Sequence, residues 1–357
     1  MTNRIDSFLE LATQQRGSDL HLIAGLTPRI RINGVLQSIR FRELSGEDLE
    51  RMLAELMTPE QRRAFEGKGA IDFGYEVPSL GRFRVNVYWH ARGLAAVLRL
   101  IGAGAPDLST LGLPESVKLA ALQPKGLVLV TGPTGSGKTT TLAGVINEIN
   151  ATRAGHIITI EDPIEYVHDY KQCVITQREV GLHAPSFAEA LRNAVREDPD
   201  VVLVGELRDR ETIALALTAA ETGIQVLGSL HTSSASRTVD RIINVFPASQ
   251  QEQVRVMLAD SLRMIVSQQL VPTTDMSRRV AVAEVLINTH AVAAMIRNGN
   301  CHKLESVLQA GSGAGMRSLD RTLKELLRTG VISGEAARAH AQDKAQFDRY
   351  ATLPDAA

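Results

Sequence analysis

The sequence predicts an α/β protein of two domains, the second built on a mostly parallel sheet, and three observations carry that prediction. The chain has 357 residues, more than one average domain holds. Residues 1–101 read as short strands and helices joined by glycine turns, whereas beyond residue 115 short apolar runs alternate with helical periods. Between the first of those runs and its helix lies a glycine-rich turn ending in Lys138-Thr139-Thr140.

Taken in order, Phe8, Leu9, Leu11 and Ala12 predict a first helix, and Asp19-Leu20-His21-Leu22 a short strand. Ile30 and Ile32, then Asn33-Gly34, then Val35 and Ile39 predict a hairpin, because Asn-Gly supplies the positive φ angles of a tight turn. Ser45 caps a second helix through Leu49, Met52, Leu53 and Leu56, with Asp48 completing a capping box. Strands follow at Ala70–Val77, Gly81–Trp89 and Ala95–Ile101. In the middle one Phe83, Val85, Val87 and Trp89 share a face; Arg82, Arg84 and Asn86 share the other, which by residue type alone reads first as solvated.

Residues 102–115, small and carrying two prolines, are the expected linker. The domain beyond it, 116–357, begins with a strand at Gly126–Thr131, the turn, and a helix marked by Leu142, Val145, Ile146 and Ile149. Next come a strand at Ile157–Ile160, a helix over Phe187–Val195, a strand at Val201–Val204, a helix over Glu211–Ala220 and a strand at Val226–Leu230. This rhythm places ligands at the carboxyl ends of the strands. A long helix is expected near Ser249–Gln269, with Val254, Met257, Leu258, Leu262 and Ile265 on one side. A strand at Val280–Ile287 and a helical tail striped by Leu319, Leu323, Leu326 and Leu327 complete the chain.

Gly132-Pro133-Thr134-Gly135-Ser136-Gly137-Lys138-Thr139 fits G-x-x-x-x-G-K-[ST] with strand before and helix after. Glycines let the backbone close around phosphate oxygens, and the helix presents its positive end to the same anion. Lys138 then reaches the β- and γ-phosphates of ATP, and the Thr139 hydroxyl ligates Mg²⁺. Two further apolar runs end in carboxylates, Glu161 and Glu206. Gly205 stands where many such sites carry an aspartate, so Mg²⁺ rests on Thr139, phosphate oxygens and waters, and either glutamate orients the attacking water. His231 ends a third run, as a satisfied structural histidine or as a sensor of the γ-phosphate.

A formal net charge of −1 argues against a generally basic nucleic-acid binder. Cys173 and Cys301 are too few for a disulfide framework or a tetracysteine zinc site, which points to a reducing compartment. The amino-terminal stretch has no signal-peptide core, and no window reaches the apolar length of a membrane span. The expectation is a soluble cytoplasmic protein whose membrane association comes through partners.

These elements in this order resemble the type II/IV secretion ATPase superfamily, and within it the type IV pilus retraction ATPases of PilT type. The resemblance covers nearly the whole chain: Gly17–Leu22, Arg82–Asn86, the P-loop, Glu161–Glu165, Gln177–Gly181, Arg196–Asp200, Gly205–Asp209, Leu230–Thr232 and, near the end, Ala294–Arg297. It implies a PAS-like amino-terminal domain joined to a RecA-like P-loop ATPase domain, assembled as a homo-hexamer. It implies an inner-membrane pilus platform protein and the pilus base as partners, and ATP turnover coupled to pilin removal and twitching motility. It also implies that Arg82 and Arg84, with Arg92 a third candidate, complete the nucleotide site. Two positions depart from the family's pattern. Ile224 follows Glu221-Thr222-Gly223 where a histidine is usual, and Leu207 replaces a methionine.

Rival readings remain open at this stage. The missing tetracysteine module sets aside the extension and type II secretion ATPases. An accessory retraction ATPase of PilU type, a DNA-remodelling ATPase of the same fold and a nucleotide-gated structural ring are the alternatives.

Overall fold

The computed structural model describes residues 3–32, 35–78, 80–101 and 104–351. The expected Asn33-Gly34 turn and the first two residues of the expected linker lie outside them. The described residues form two compact units: those up to Gly104 together with Pro163–Val167, and those from Ala105 to Asp162 together with those from His168 onward.

The first unit contains a six-stranded antiparallel sheet. Its strands are β1 (Asp19–Ile23), β2 (Arg29–Ile32), β3 (Val35–Ser38), β4 (Ala70–Val77), β5 (Gly81–His90) and β6 (Gly93–Ile101), in spatial order β3-β2-β1-β6-β5-β4. Helices Asp6–Gln14, Gly46–Ala54 and Pro59–Lys68 bury Phe8, Leu9, Leu49, Leu53 and Phe65 against Leu20, Ile30, Phe73, Phe83, Val85 and Val87 of the sheet. Period-two burial in β5 matches the sequence pattern up to Val87, but Trp89 is 50% exposed and stacks on Phe65 at 6.1 Å between ring centroids. The Ser45–Asp48 capping box is present, and its helix stops at Ala54, before Leu56. Helix Pro59–Lys68, which buries only Phe65 and so has no apolar stripe in the sequence, is set by its ends: Thr58 and Gln61 form a second capping box, Pro59 opens the helix and Gly69 closes it in the left-handed conformation.

The second unit contains a seven-stranded sheet in the order β13-β12-β7-β11-β10-β8-β9. The strands are β7 (Gly126–Thr131), β8 (Gly155–Glu161), β9 (Cys173–Glu179), β10 (Val201–Val204), β11 (Gln225–Leu230), β12 (Leu262–Pro272) and β13 (Arg279–Ile287). Every pairing is parallel except that of β12 with β13. Both faces are buried. Leu127 and Leu129 join the core beneath helices Phe187–Ala194, Arg210–Glu221, Ala235–Asn244 and Ala248–Ser261, while Val128 and Val130 join that beneath helices Glu115–Ala121 and Lys138–Thr152. A smaller cluster packs the helical tail, through Leu319, Leu323 and Phe347, on Val271 and Val282.

Two expectations need correction. The helix expected near Ser249–Gln269 ends at Ser261, and Leu262–Pro272 is instead a strand between β7 and β13. The strand is buried on both faces, so its apolar run lacks the alternation that separates a strand from a helix, and no proline or glycine marks the junction. The stretch 105–115, expected as linker, is packed into the second unit: Leu108 is buried at the start of a 3₁₀ turn, Leu108–Leu111, and Asn147 Nδ2 donates to Pro106 O at 3.0 Å.

Candidate active site

The sheet order sets the site. Gly132 follows the carboxyl end of β7, His231 that of β11, Glu206 lies two residues beyond β10, and Glu161 is the last residue of β8. Because β7, β11, β10 and β8 are spatial neighbours, these groups line up in that order along one edge. At roughly 4.8 Å per strand, Glu206 is rooted about two strands from the P-loop strand and Glu161 about three.

The loop after β7 takes a conformation that its glycines permit. Gly132, Gly135 and Gly137 have φ of 147°, 77° and 86°, and a Cβ on Gly132 would meet Gln268 O at 2.3 Å. Pro133, Thr134 and Gly135 are exposed; Lys138, Thr139 and Thr140 are partly exposed on the first turn of helix Lys138–Thr152. Among the described residues no side chain caps that helix at Gly137, and the positive end of its dipole lies at the loop. This cradle fits a nucleotide's phosphates.

Lys138 Nζ donates to Gly132 O at 3.0 Å and Pro133 O at 3.1 Å, and lies 3.4 Å from His231 Nδ1. On its other side His231 Nε2 is 3.3 Å from Glu206 Oε1, and Glu206 Oε2 pairs with Arg208 Nη2 at 2.7 Å. Lysine can only donate and a carboxylate can only accept. The contacts suit a ring whose Nδ1 accepts from Lys138 and whose Nε2 donates to Glu206. Burial by itself would raise the Glu206 carboxyl, but the Arg208 hydrogen bond and charge, with His231, outweigh it and hold the group below its ordinary value.

Leu207, buried between Glu206 and Arg208, packs over Gly228, where a Cβ would come within 2.8 Å of it. Leu207 N donates to Ser229 O at 2.9 Å and Ser229 Oγ to Gly205 O at 2.5 Å, fixing the backbone that presents Glu206. Glu161 is buried, accepting from Thr159 Oγ1 at 2.7 Å and Gln177 Nε2 at 3.3 Å. Asp209 caps helix Arg210–Glu221 through Thr212, and Arg178 pairs with Glu197 at 2.8 Å, so these members of the quoted motifs brace the fold.

Arg82, Arg84 and Arg92 belong to the first unit. Arg82 Nε donates to Ile164 O at 2.9 Å and its guanidinium lies across Gly74, where a Cβ would come within 2.4 Å of it. Arg84 holds Asp72 through Nε at 2.9 Å and Nη2 at 2.6 Å, with Glu165 at 3.6 Å. Arg92 is exposed in the β5–β6 turn. The structure thus brings together the P-loop, Lys138, His231 and Glu206, and places Arg82 and Arg84 in hydrogen bonds and ion pairs of the first unit.

Sequence reasoning did not single out Arg208 or Gln268. Arg208 stood in a quoted motif with no role attached; Gln268 was placed in a helix that is a strand. Among the described residues no group of three or more His, Cys, Asp and Glu side chains is arranged to hold a metal, and no helix is long and apolar enough to cross a membrane.

The profile of one family, described as Type II/IV secretion system protein, matches residues 1–332. A twitching motility protein of Neisseria gonorrhoeae is 49% identical over 337 residues, spanning 94% of this chain and 90% of that protein. A type IV pilus retraction ATPase, PilT, of Pseudomonas aeruginosa is 46% identical over 343 residues, 96% of this chain and 99% of that one. A crystal structure of the pilus retraction motor PilT with bound ADP superposes with a TM-score of 0.89 at 42% identity, covering 98% of this chain and all of that one.

Proposed function

Since the chain belongs to the type II/IV secretion system protein family, we propose that it is an ATP-hydrolysing motor that powers retraction of type IV pili. The observation that carries the chemistry is His231 standing between the P-loop lysine and Glu206. The biological assignment rests on near full-length similarity to a twitching motility protein and to a pilus retraction ATPase.

In this reading Gly132–Thr140 cradle the ATP phosphates and Lys138 leaves its loop carbonyls for the β- and γ-phosphates. Thr139 would hold a Mg²⁺ ion, which would neutralise phosphate charge. Glu206, kept ionised by Arg208, accepts a hydrogen bond from the attacking water and orients it in line with the γ-phosphorus. Glu161, rooted one strand further out, supports it. His231 exchanges Lys138 for the γ-phosphate region and back as the nucleotide turns over, and so reports its state to the segment that follows. Arg82 and Arg84 reach the nucleotide only on release from Ile164 O and Asp72, which ties hydrolysis to domain closure, with Arg92 a further candidate. The first unit is the PAS-like domain and the second the RecA-like one. The working assembly is a homo-hexamer, cytoplasmic and recruited to an inner-membrane platform at the pilus base.

The test replaces Glu206 with Gln at the native locus, counting surface pili by electron microscopy and scoring surface motility, with phosphate release measured on the purified protein. Abundant pili, no motility and phosphate release reduced at least ~100-fold are expected. Bald cells would make the protein an assembly motor, and unchanged piliation would overturn a pilus role.

A further inference from the structure

We infer that Gln268, on the strand beside the P-loop strand, is a positioning residue that holds the phosphate-binding loop ready for its ligand; the inference rests on the nucleotide-site reading above. Gln268 is 1% exposed. A buried amide in a central strand costs stability unless both ends are satisfied, and here both are. Nε2 donates to Ser136 O at 2.7 Å, and Oε1 accepts from Thr141 Oγ1 at 2.9 Å. Ser136 O can only accept, which fixes the amide's orientation without ambiguity.

The consequence follows from peptide geometry. In a trans planar peptide the C=O and the next N–H point in opposite directions. Drawing the Ser136 carbonyl toward β12 therefore turns the Gly137 N–H away from β12, toward the open side of the loop. Gly137 is in the left-handed region and could swing with little cost, so an external pin is needed to hold this amide. The Ser136 side chain does not supply the pin, because its buried Oγ has no hydrogen-bond partner among the described residues. The second bond, from Thr141 in the first turn of the helix that carries Lys138 and Thr139, ties loop and helix to the same amide. β12 adds a wall on the loop's near side, where Gln268 O crowds Gly132.

The phosphate oxygens that such an amide serves are present in bound ATP and in bound ADP, so losing the pin weakens binding of both and leaves the chemical step nearly untouched. The full-length protein carrying Gln268→Leu should bind ADP with Mg²⁺ about tenfold more weakly and show an ATP KM raised about tenfold, with kcat within about threefold of the parent. The unfolding midpoint without nucleotide is measured alongside, and the stabilisation that ADP gives should shrink. A purely structural role would lower that midpoint and leave the ADP Kd of the folded protein unchanged, and this result overturns the inference. If Gln268→Leu does not fold, Gln268→Glu replaces it: it keeps the acceptor for Thr141 and loses the donor to Ser136. A raised Kd supports the inference and an unchanged one overturns it. Lys138→Ala is the control. Undiminished ADP binding in that variant would sink the nucleotide-site reading itself, a different outcome from normal Kd in the Gln268 variants alone.

Discussion

Arg208 decides how Glu206 is charged. Its hydrogen bond and positive charge, with His231, outweigh burial, so the Glu206 carboxyl sits below its ordinary value of 4.5. A depressed carboxyl means that the unfolded chain binds more protons than the folded one below that value. The group's contribution to stability is therefore present above 4.5 and lost as pH falls through the folded value. Arg208→Ala should move the acid limb of the ATPase pH profile upward and lower kcat by about tenfold, as measured by phosphate release against pH. Glu284 is the opposite case. Its carboxylate takes the Ala235 N–H at 2.7 Å and Gln342 Nε2 at 2.9 Å, yet burial pushes its pKa up. A raised pKa makes its stabilisation full below 4.5 and lost as pH rises through the folded value. Glu284→Gln should accordingly flatten the fall in unfolding midpoint as pH rises from that range toward neutrality, as a thermal melt series would read.

At the level of elements, the sequence was legible wherever local chemistry and tertiary context agreed. The P-loop declared itself because strand, glycines and helix start are adjacent in the chain, and β5 because polar residues on its half-buried face alternate with apolar ones on its buried face up to Val87. β12 was illegible: two-sided burial erases the period that distinguishes a strand, and the helix before it runs directly into it. That misreading also hid Gln268, whose role depends on which strand lies beside β7. Helix Pro59–Lys68 is a different failure, since its capping box and flanking Pro and Gly were all visible. Glu206 and His231 could be proposed from their positions at strand ends, but their contact depends on sheet order, which skips from β7 to β11. The loop itself has no tolerance at Gly132, where the obstacle is backbone. Gly132→Ala should abolish measurable ADP binding, because the Gln268 carbonyl cannot move without opening the β7–β12 pairing. Titration calorimetry would check it.

For the whole molecule, the division into two units is not a division of the chain into two lengths. Residues 163–167, which directly follow the strand end carrying Glu161 and Asp162, are built into the first unit, where Ile164 O and Glu165 meet Arg82 and Arg84. The polypeptide crosses from one unit to the other after Gly104, after Asp162 and after Val167. A single protease nick after Gly104 would therefore yield an amino-terminal fragment still clasping five residues that belong to the other piece. The two products should run together on a native gel and separate only in denaturant. The Glu161 strand end is thus joined to the first unit by a tether of its own, so pulling on that unit would tug at this end of the sheet through covalent bonds.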